Sequence, residues 1–190
     1  MKFWKKNITA YTLEELITKC KENDRQAQYQ LYERFSPNIL GVCKRYVKGQ
    51  EIAEEMLSNT FIRVFNNIHQ FSGVGSFDGW IRTIAIRECI AHLRAQRNWY
   101  FSVDHFHDDI EPSTLPFDQL EVEEIIALID TLPNGYREVF NLYVIEGMKH
   151  QEIASLLNIS ENTSKTQLMK AKNVLKTKIN ELYTIDPSYD

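Results

Sequence analysis

Gln151-Glu152-Ile153-Ala154-Ser155-Leu156-Leu157-Asn158-Ile159-Ser160 is the stretch from which the rest of the chain can be read. Ile153, Ala154 and Leu157 share one face of a short helix, and Asn158-Ile159-Ser160 interrupts it. Ser160 is suited to an N-cap, because its hydroxyl can accept from an otherwise orphan backbone amide. A second, longer helix then runs through Leu168, Ala171 and Leu175, apolar positions three and four residues apart. Lys165, Thr166, Gln167, Lys170 and Lys172 fall largely off that stripe. Two helices, a tight turn and a polar, basic second helix describe a helix-turn-helix whose second helix could enter a major groove. An ordinary helical hairpin with a solvated lysine face meets the same pattern, so spacing alone leaves both readings open.

Composition bounds what surrounds this motif. The chain has 190 residues, enough for one ordinary domain or two small ones. Hydrophobic content of 43% and charged content of 25% suit a soluble globular protein. A net charge of −4 argues against a general nucleic-acid coat protein but leaves room for local basic faces. No apolar run approaches the roughly 20 residues of a membrane span, so no membrane insertion is expected. Met1-Lys2-Phe3-Trp4-Lys5-Lys6 has no following apolar core and does not read as a signal peptide. Cys20, Cys43 and Cys89 are odd in number, scattered and without a CxxC, which suits free, mostly buried thiols and a cytoplasmic location.

Upstream of the motif the pattern is helical throughout. Leu13, Leu16, Ile17 and Cys20 make one face of a first helix. Asn23 followed by Gln26 has the form of a capping box, opening a helix through Ala27, Leu31, Tyr32 and Phe35. Pro37 fits the first turn of a next helix, where its missing N–H costs nothing, continuing through Ile39, Val42, Cys43 and Tyr46. Ile52 to Ile68 carries a broad apolar face of Ile52, Met56, Phe61, Val64, Phe65 and Ile68. Glu54 and Glu55 stand near the N-terminus of that helix, where its dipole favours them even as plain solvated residues. Phe71-Ser72-Gly73-Val74-Gly75-Ser76-Phe77-Asp78-Gly79-Trp80 is the densest glycine cluster, a loop that can open and present polar groups. Ser76 can cap the helix after it. That helix turns Ile81, Ile84, Ala85 and Cys89 inward and leaves Arg82, Arg87, Arg94 and Arg97 as a basic surface. Such a surface can meet phosphates or simply be solvated.

No Lys or Arg occurs between Arg97 and Arg137, a gap that holds Asp104, Asp108, Asp109, Glu111, Asp118, Glu121, Glu123, Glu124 and Asp130. With Pro112 and Pro116 this reads as an acidic linker. His105, His107 and Asp108 lack further ligands at helical spacing, so no metal site is expected there. Glu121 to Ile129 is helical with Val122, Ile125, Ile126 and Ile129 inward. Leu132-Pro133 starts the next helix and Gly147 ends it as the C′ residue. Ile185 to Asp190 reads as a frayed tail.

Several stretches are worded like one known family. Leu132-Pro133-x-x-x-Arg137-x-Val139-Phe140-x-Leu142, Glu146-Gly147, Gln151-Glu152-Ile153-Ala154, Ile159-Ser160-Glu161 and Thr163-Ser164-Lys165 together resemble region 4 of sigma-70-family factors. The likeness is greatest to the extracytoplasmic-function (ECF) group, which keeps only regions 2 and 4. Ala53-Glu54-Glu55-Met56-Leu57 with Thr60-Phe61-Ile62-Arg63-Val64-Phe65 resembles region 2.2. Phe71-x-Gly-x-x-x-Phe77-x-x-Trp80 resembles the region 2.3 loop, and the helix from Trp80 to Arg94 resembles region 2.4.

The resemblance implies an all-α fold of two small helical domains joined by an acidic linker. Its boundaries are an N-terminal segment at 1–23, a region 2-like domain at 24–98, the linker at 99–120, a region 4-like helix-turn-helix domain at 121–183 and a tail at 184–190. It implies core RNA polymerase and promoter DNA as partners, admits an anti-sigma factor, and implies transcription initiation as the function. Glu54, Glu55, Ser58 and Asn59 would meet the polymerase clamp. Phe71, Ser72, Gly73, Ser76, Arg82 and Arg87 would meet the melted minus-10 element, with Phe77 and Trp80 in the core. Asn162, Lys165, Thr166, Gln167 and Lys170 would read the minus-35 element, and the linker would thread the RNA path. The family usually has Gln and an acidic residue where Ser58 and Asn59 stand, Asn and Asp where Arg87 and Ala91 stand, and often Ser, Gly and Arg at Lys149, Asn162 and Gln167. No catalytic constellation or cofactor motif stands in the sequence, so no enzyme is expected. The rival readings are a polymerase-independent helix-turn-helix regulator, supported by Ser58, Asn59 and Arg87, and, last, a helical enzyme using His105, His107 and Asp108.

Overall fold

The computed structural model describes residues 11–97 and 122–184. The acidic linker, with His105, His107 and Asp108, and the tail from 185 onward lie outside the described residues, as do residues 1–10. Among the described residues there are eight α-helices, one 3-10 turn, one π turn and no strand. The chain divides into two compact units after Arg94.

In the first unit, α1 (Leu13–Lys21) opens on a full capping box. Thr12 Oγ1 accepts from the Glu15 amide at 3.2 Å, and the Glu15 carboxylate accepts from the Thr12 amide at 2.8 Å. Leu16 and Cys20 bury the inner face of α1, which packs on α2 and on the turn at Ile68–Gln70. α2 (Arg25–Tyr46) is capped one residue later than the sequence suggests. Asp24 Oδ1 accepts from the Gln26 amide at 2.8 Å and the Ala27 amide at 2.9 Å. Asn23 instead takes a left-handed conformation (φ 61°) that closes α1, a role short polar residues tolerate. Pro37 is a second correction, since it starts no helix and lies inside a continuous α2. Its ring is exposed, and the stripe Leu31, Phe35, Ile39, Val42, Cys43 and Tyr46 is buried on both sides of it. Burial worth about 1.5–3 kcal/mol per large side chain outweighs one lost backbone hydrogen bond.

Gly49, at φ 93°, turns the chain into α3 (Gln50–Asn67), which buries Ala53, Met56, Leu57, Thr60, Phe61 and Val64. Ile52 and Phe65 are only half-buried. α4 (Phe77–Arg97) buries Phe77, Ile81, Ala85, Ile86, Cys89, Ile90 and Leu93, an arc wider than one stripe. A helix apolar over so much of its surface belongs at the centre of its unit. All three cysteines are free and buried. Cys89 on α4 hydrogen-bonds to Cys43 on α2, which pushes the Cys89 thiol up and the Cys43 thiol down. Burial, with Asp24 nearby, pushes the Cys20 thiol up to about 11.

The second unit contains α5 (Val122–Asp130), α6 (Asn134–Phe140), a π turn (Asn141–Ile145), α7 (His150–Leu157) and α8 (Glu161–Thr184). α8 is its spine, burying Leu168, Ala171, Leu175 and Ile179 against Val139, Phe140, Leu142, Ile153 and Leu157. Ile126 is a correction, because it is 43% exposed. The inner arc of the short α5 runs through Ile125, Leu128 and Ile129 towards Leu132, and Ile126 lies off it. Arg137 of α6 is buried, reaching Asn134 Oδ1 at 3.3 Å and lying 4.0 Å from Asp130 Oδ1. Gly147, at φ 69°, ends this segment as expected, and the Met148 amide donates back to the Leu142 carbonyl at 2.9 Å.

Candidate nucleic-acid interface

α7, the turn and α8 form the helix-turn-helix. Asn158 takes a left-handed conformation at the end of α7 (φ 54°), and the Ile159 amide donates to the Ala154 carbonyl at 3.0 Å. Ser160 caps α8 as its sequence position implies. Its Oγ accepts from the Thr163 amide at 2.9 Å and shares a hydrogen bond with Thr163 Oγ1 at 2.7 Å. At the start of α7, Lys149 supplies no side-chain cap, but the Glu152 carboxylate accepts from the Lys149 amide at 2.7 Å. Half of a capping box therefore replaces the missing serine.

One contact across the motif has no counterpart in periodicity. His150 Nδ1 lies 2.9 Å from Ser164 Oγ, and Ser164 is fully buried. The imidazole also stacks on Tyr143, centroids 4.5 Å apart and planes 22° apart. His150 thus fastens the π turn, α7 and α8 together and fixes the angle at which α8 is presented.

On α8, Asn162, Lys165 and Thr166 are exposed, while Gln167 and Lys170 are half-buried. Leu168 and Ala171 are core, as their spacing requires. Lys165 pairs with Glu161 at 2.8 Å one turn earlier, and this bond holds the Glu161 carboxyl below the usual range. Met169, 55% exposed, also lies among the polar candidates on α8.

In the first unit, Phe71 to Trp80 forms a rooted loop. Phe71, Phe77 and Trp80 make an aromatic cluster: Phe71 is 5.0 Å from Phe77 and 5.6 Å from Trp80, and Phe77 and Trp80 stack at 5.5 Å. Phe71 is 9% exposed and packed against the other two rings, at the edge of the loop. Ser72, Gly73, Val74, Gly75 and Ser76 are exposed, Val74 the most at 86%. Gly73 and Gly75 both have φ near 80°, where a side chain would be strained. Ser76 Oγ accepts from the Gly79 amide at 3.0 Å and caps α4, while Ser72 Oγ accepts from the Val74 amide at 3.4 Å. Arg87 is exposed and Arg82 half-buried on α4, and Arg63 of α3 pairs with Glu88.

On α3, Glu54, Glu55 and Ser58 are exposed and Asn59 is half-buried. Ser58 Oγ donates to the Glu54 carbonyl at 2.9 Å, and the Gln50 amide pairs with the Glu54 carboxylate. Ile62, quoted above within the region 2.2-like stretch but not as a contact residue, is 58% exposed one turn beyond Ser58.

A glycine loop rooted in an aromatic cluster, together with a helix-turn-helix in a second all-helical unit, defines the class as DNA-binding transcription proteins. Residues 31–98 match the family model for sigma-70 region 2, and residues 122–175 match that for sigma-70, region 4. The ECF RNA polymerase sigma-E factor of Haemophilus influenzae is 23% identical over 184 residues, 90% of this chain and 97% of that protein. The ECF RNA polymerase sigma factor SigX of Bacillus subtilis is 29% identical, over 77% of this chain and 80% of its own. Among solved structures, the sigma factor RpoE of Bartonella quintana, determined in complex with the anti-sigma factor NepR, has the same fold. Its TM-score is 0.51 at 17% identity, covering 80% of this chain and 96% of that one. The chain belongs to the sigma-70 family, as a sigma factor of the ECF type. That family consists of transcription factors rather than enzymes. Among the described residues no helix is long and apolar enough to cross a membrane.

Proposed function

We propose that this protein binds core RNA polymerase, carries it to promoters and opens the DNA there, without catalysis of its own and in the cytoplasm. The observation that carries this reading is the presence of both DNA-facing devices in one chain, in the order of regions 2 and 4. The α3 face of Glu54, Glu55, Ser58, Asn59 and Ile62 docks on polymerase. The Ser72–Ser76 loop receives an unstacked minus-10 base, and Arg82 and Arg87 hold nearby phosphates. Stacking or enclosing an unpaired base is worth roughly 1–3 kcal/mol, which helps offset unpairing. Asn162, Lys165, Thr166, Gln167 and Lys170 address the minus-35 element from α8. An anti-sigma factor, the kind of partner that Bartonella quintana RpoE carries in its solved complex, is a third class of partner.

Run-off transcription from a genomic fragment library, with core polymerase plus this protein, tests the proposal. The expected outcome is discrete transcripts absent from core enzyme alone. Absence of transcripts together with absence of polymerase binding would sink it. Specific DNA binding without polymerase binding would favour the independent regulator, a reading that Ser58, turned back onto the Glu54 carbonyl, keeps in view.

A further inference from the structure

The loop that meets melted DNA is held from outside the segment that matches the family model. Lys21, in the last turn of α1, donates from Nζ to the Phe71 carbonyl at 3.2 Å, fifty residues away in sequence. Phe71 is the C-cap of the 3-10 turn Ile68–Gln70, against which α1 packs. Its side chain is locked by Phe77 and Trp80, and its carbonyl is held by Lys21. At the other end Ser76 is held to Gly79. Between these two anchors lie two glycines and a highly exposed valine. A chain of that composition samples many shapes unless its ends are fixed.

We infer that Lys21 is a positioning residue for promoter opening: by holding the Phe71 carbonyl it fixes the root of the Ser72–Ser76 loop in the shape that accepts an unstacked base. This rests on the sigma-factor reading of the loop and extends it to α1, which precedes the matched residues 31–98. The physical basis is preorganisation. A ligand that binds one loop shape has its affinity reduced by the fraction of time the loop spends elsewhere. A cation at the end of a 3-10 turn is also favourably placed against its last carbonyls. The long apolar stem of Lys21 lies half-buried, so methionine can replace it without opening a cavity.

The experiment uses the full chain, alone and with core polymerase, as wild type, Lys21→Met and Lys21→Arg. The DNA probe is a labelled single strand carrying the minus-10 sequence of a promoter found by run-off transcription. Lys21→Met should weaken binding of that strand about three- to tenfold, and Lys21→Arg should stay within about twofold of wild type. Affinity for core polymerase and for the upstream duplex should not change. In the free Lys21→Met chain, amide exchange at Val74 to Ser76 should quicken while that of α2 does not. Wild-type affinity and exchange in Lys21→Met would overturn the inference. So would a salt slope lowered by about 1, which would make Lys21 a direct phosphate contact. If wild-type holoenzyme does not bind the strand at all, the reading of the loop fails, and the exchange measurement still decides whether Lys21 orders it.

Discussion

At the scale of single residues, Gln167 is the side chain whose chemistry makes the sharpest claim. A glutamine amide pairs with adenine N6 and N7, and an arginine prefers guanine O6 and N7, each good bidentate pair being worth roughly 1–3 kcal/mol. Gln167→Arg should therefore shift the preferred upstream base from adenine to guanine in a randomised upstream-element selection. Identical preferred sequences would remove Gln167 from base readout. Phe71 carries the opposite expectation. As a packed member of the aromatic cluster, its replacement by alanine should lower unfolding stability by about 3–5 kcal/mol in urea titration. A stable Phe71→Ala protein that loses only single-strand binding would return Phe71 to the DNA surface. Asp24 gives a pH signature. The Ala27 and Gln26 amides and the charge of Lys19 hold its carboxyl below the usual range. Its contribution is present above the ordinary carboxylate pKa and is lost as pH falls through the lowered value. Asp24→Ala should lower the thermal midpoint at pH 7 and leave a shallower acid-side fall than wild type shows.

At the scale of elements, the caps and faces decide how the reading surfaces are presented. Ser160 bonds the Thr163 amide at the start of α8, so Ser160→Ala should cost about 1 kcal/mol by denaturant unfolding. It should also weaken upstream binding, because the first turns of α8 carry Asn162, Lys165 and Thr166. Periodicity revealed the helices and the position of this cap, since both are written within a few adjacent residues. It failed at Pro37, where packing on both sides of the proline overrode a local stop signal. It failed at Ile126 because a nine-residue helix shows too few turns to separate inner from outer apolar positions. The packing of Phe71 against Phe77 and Trp80 was not legible either, as the sequence cannot say which way a loop-edge ring turns. Contacts between distant elements left no local trace at all. Lys21 with Phe71, Cys43 with Cys89 and His150 with Ser164 exist only once the helices are packed. The candidates on α8 were legible because a basic, polar face opposite an apolar stripe is a local pattern.

At the scale of the whole molecule, the chain carries a formal net charge of −4, so bulk attraction to DNA is not available to it. On the proposed reading, promoter affinity comes from a few cations on two faces, Arg82 and Arg87 on α4 and Lys165 and Lys170 on α8. The two faces belong to separate compact units, so on that reading each would contribute its own phosphate contacts, and binding of the first would raise the effective concentration of the second. Residues far apart and without shared partners affect free energies additively. Arg87→Ala and Lys165→Ala should each lower the slope of log affinity against log salt by about 1, and the double variant by about 2. For Lys165 the loss is partly offset, since phosphate contact must compete with its bond to Glu161. At one fixed salt concentration, the double variant's affinity should equal the product of the single effects to within about twofold. Titration of holoenzyme on a labelled promoter across a potassium chloride series measures both quantities. A double variant no worse than either single one would mean that only one face engages the promoter at a time, and the two-site account of its recognition would fall.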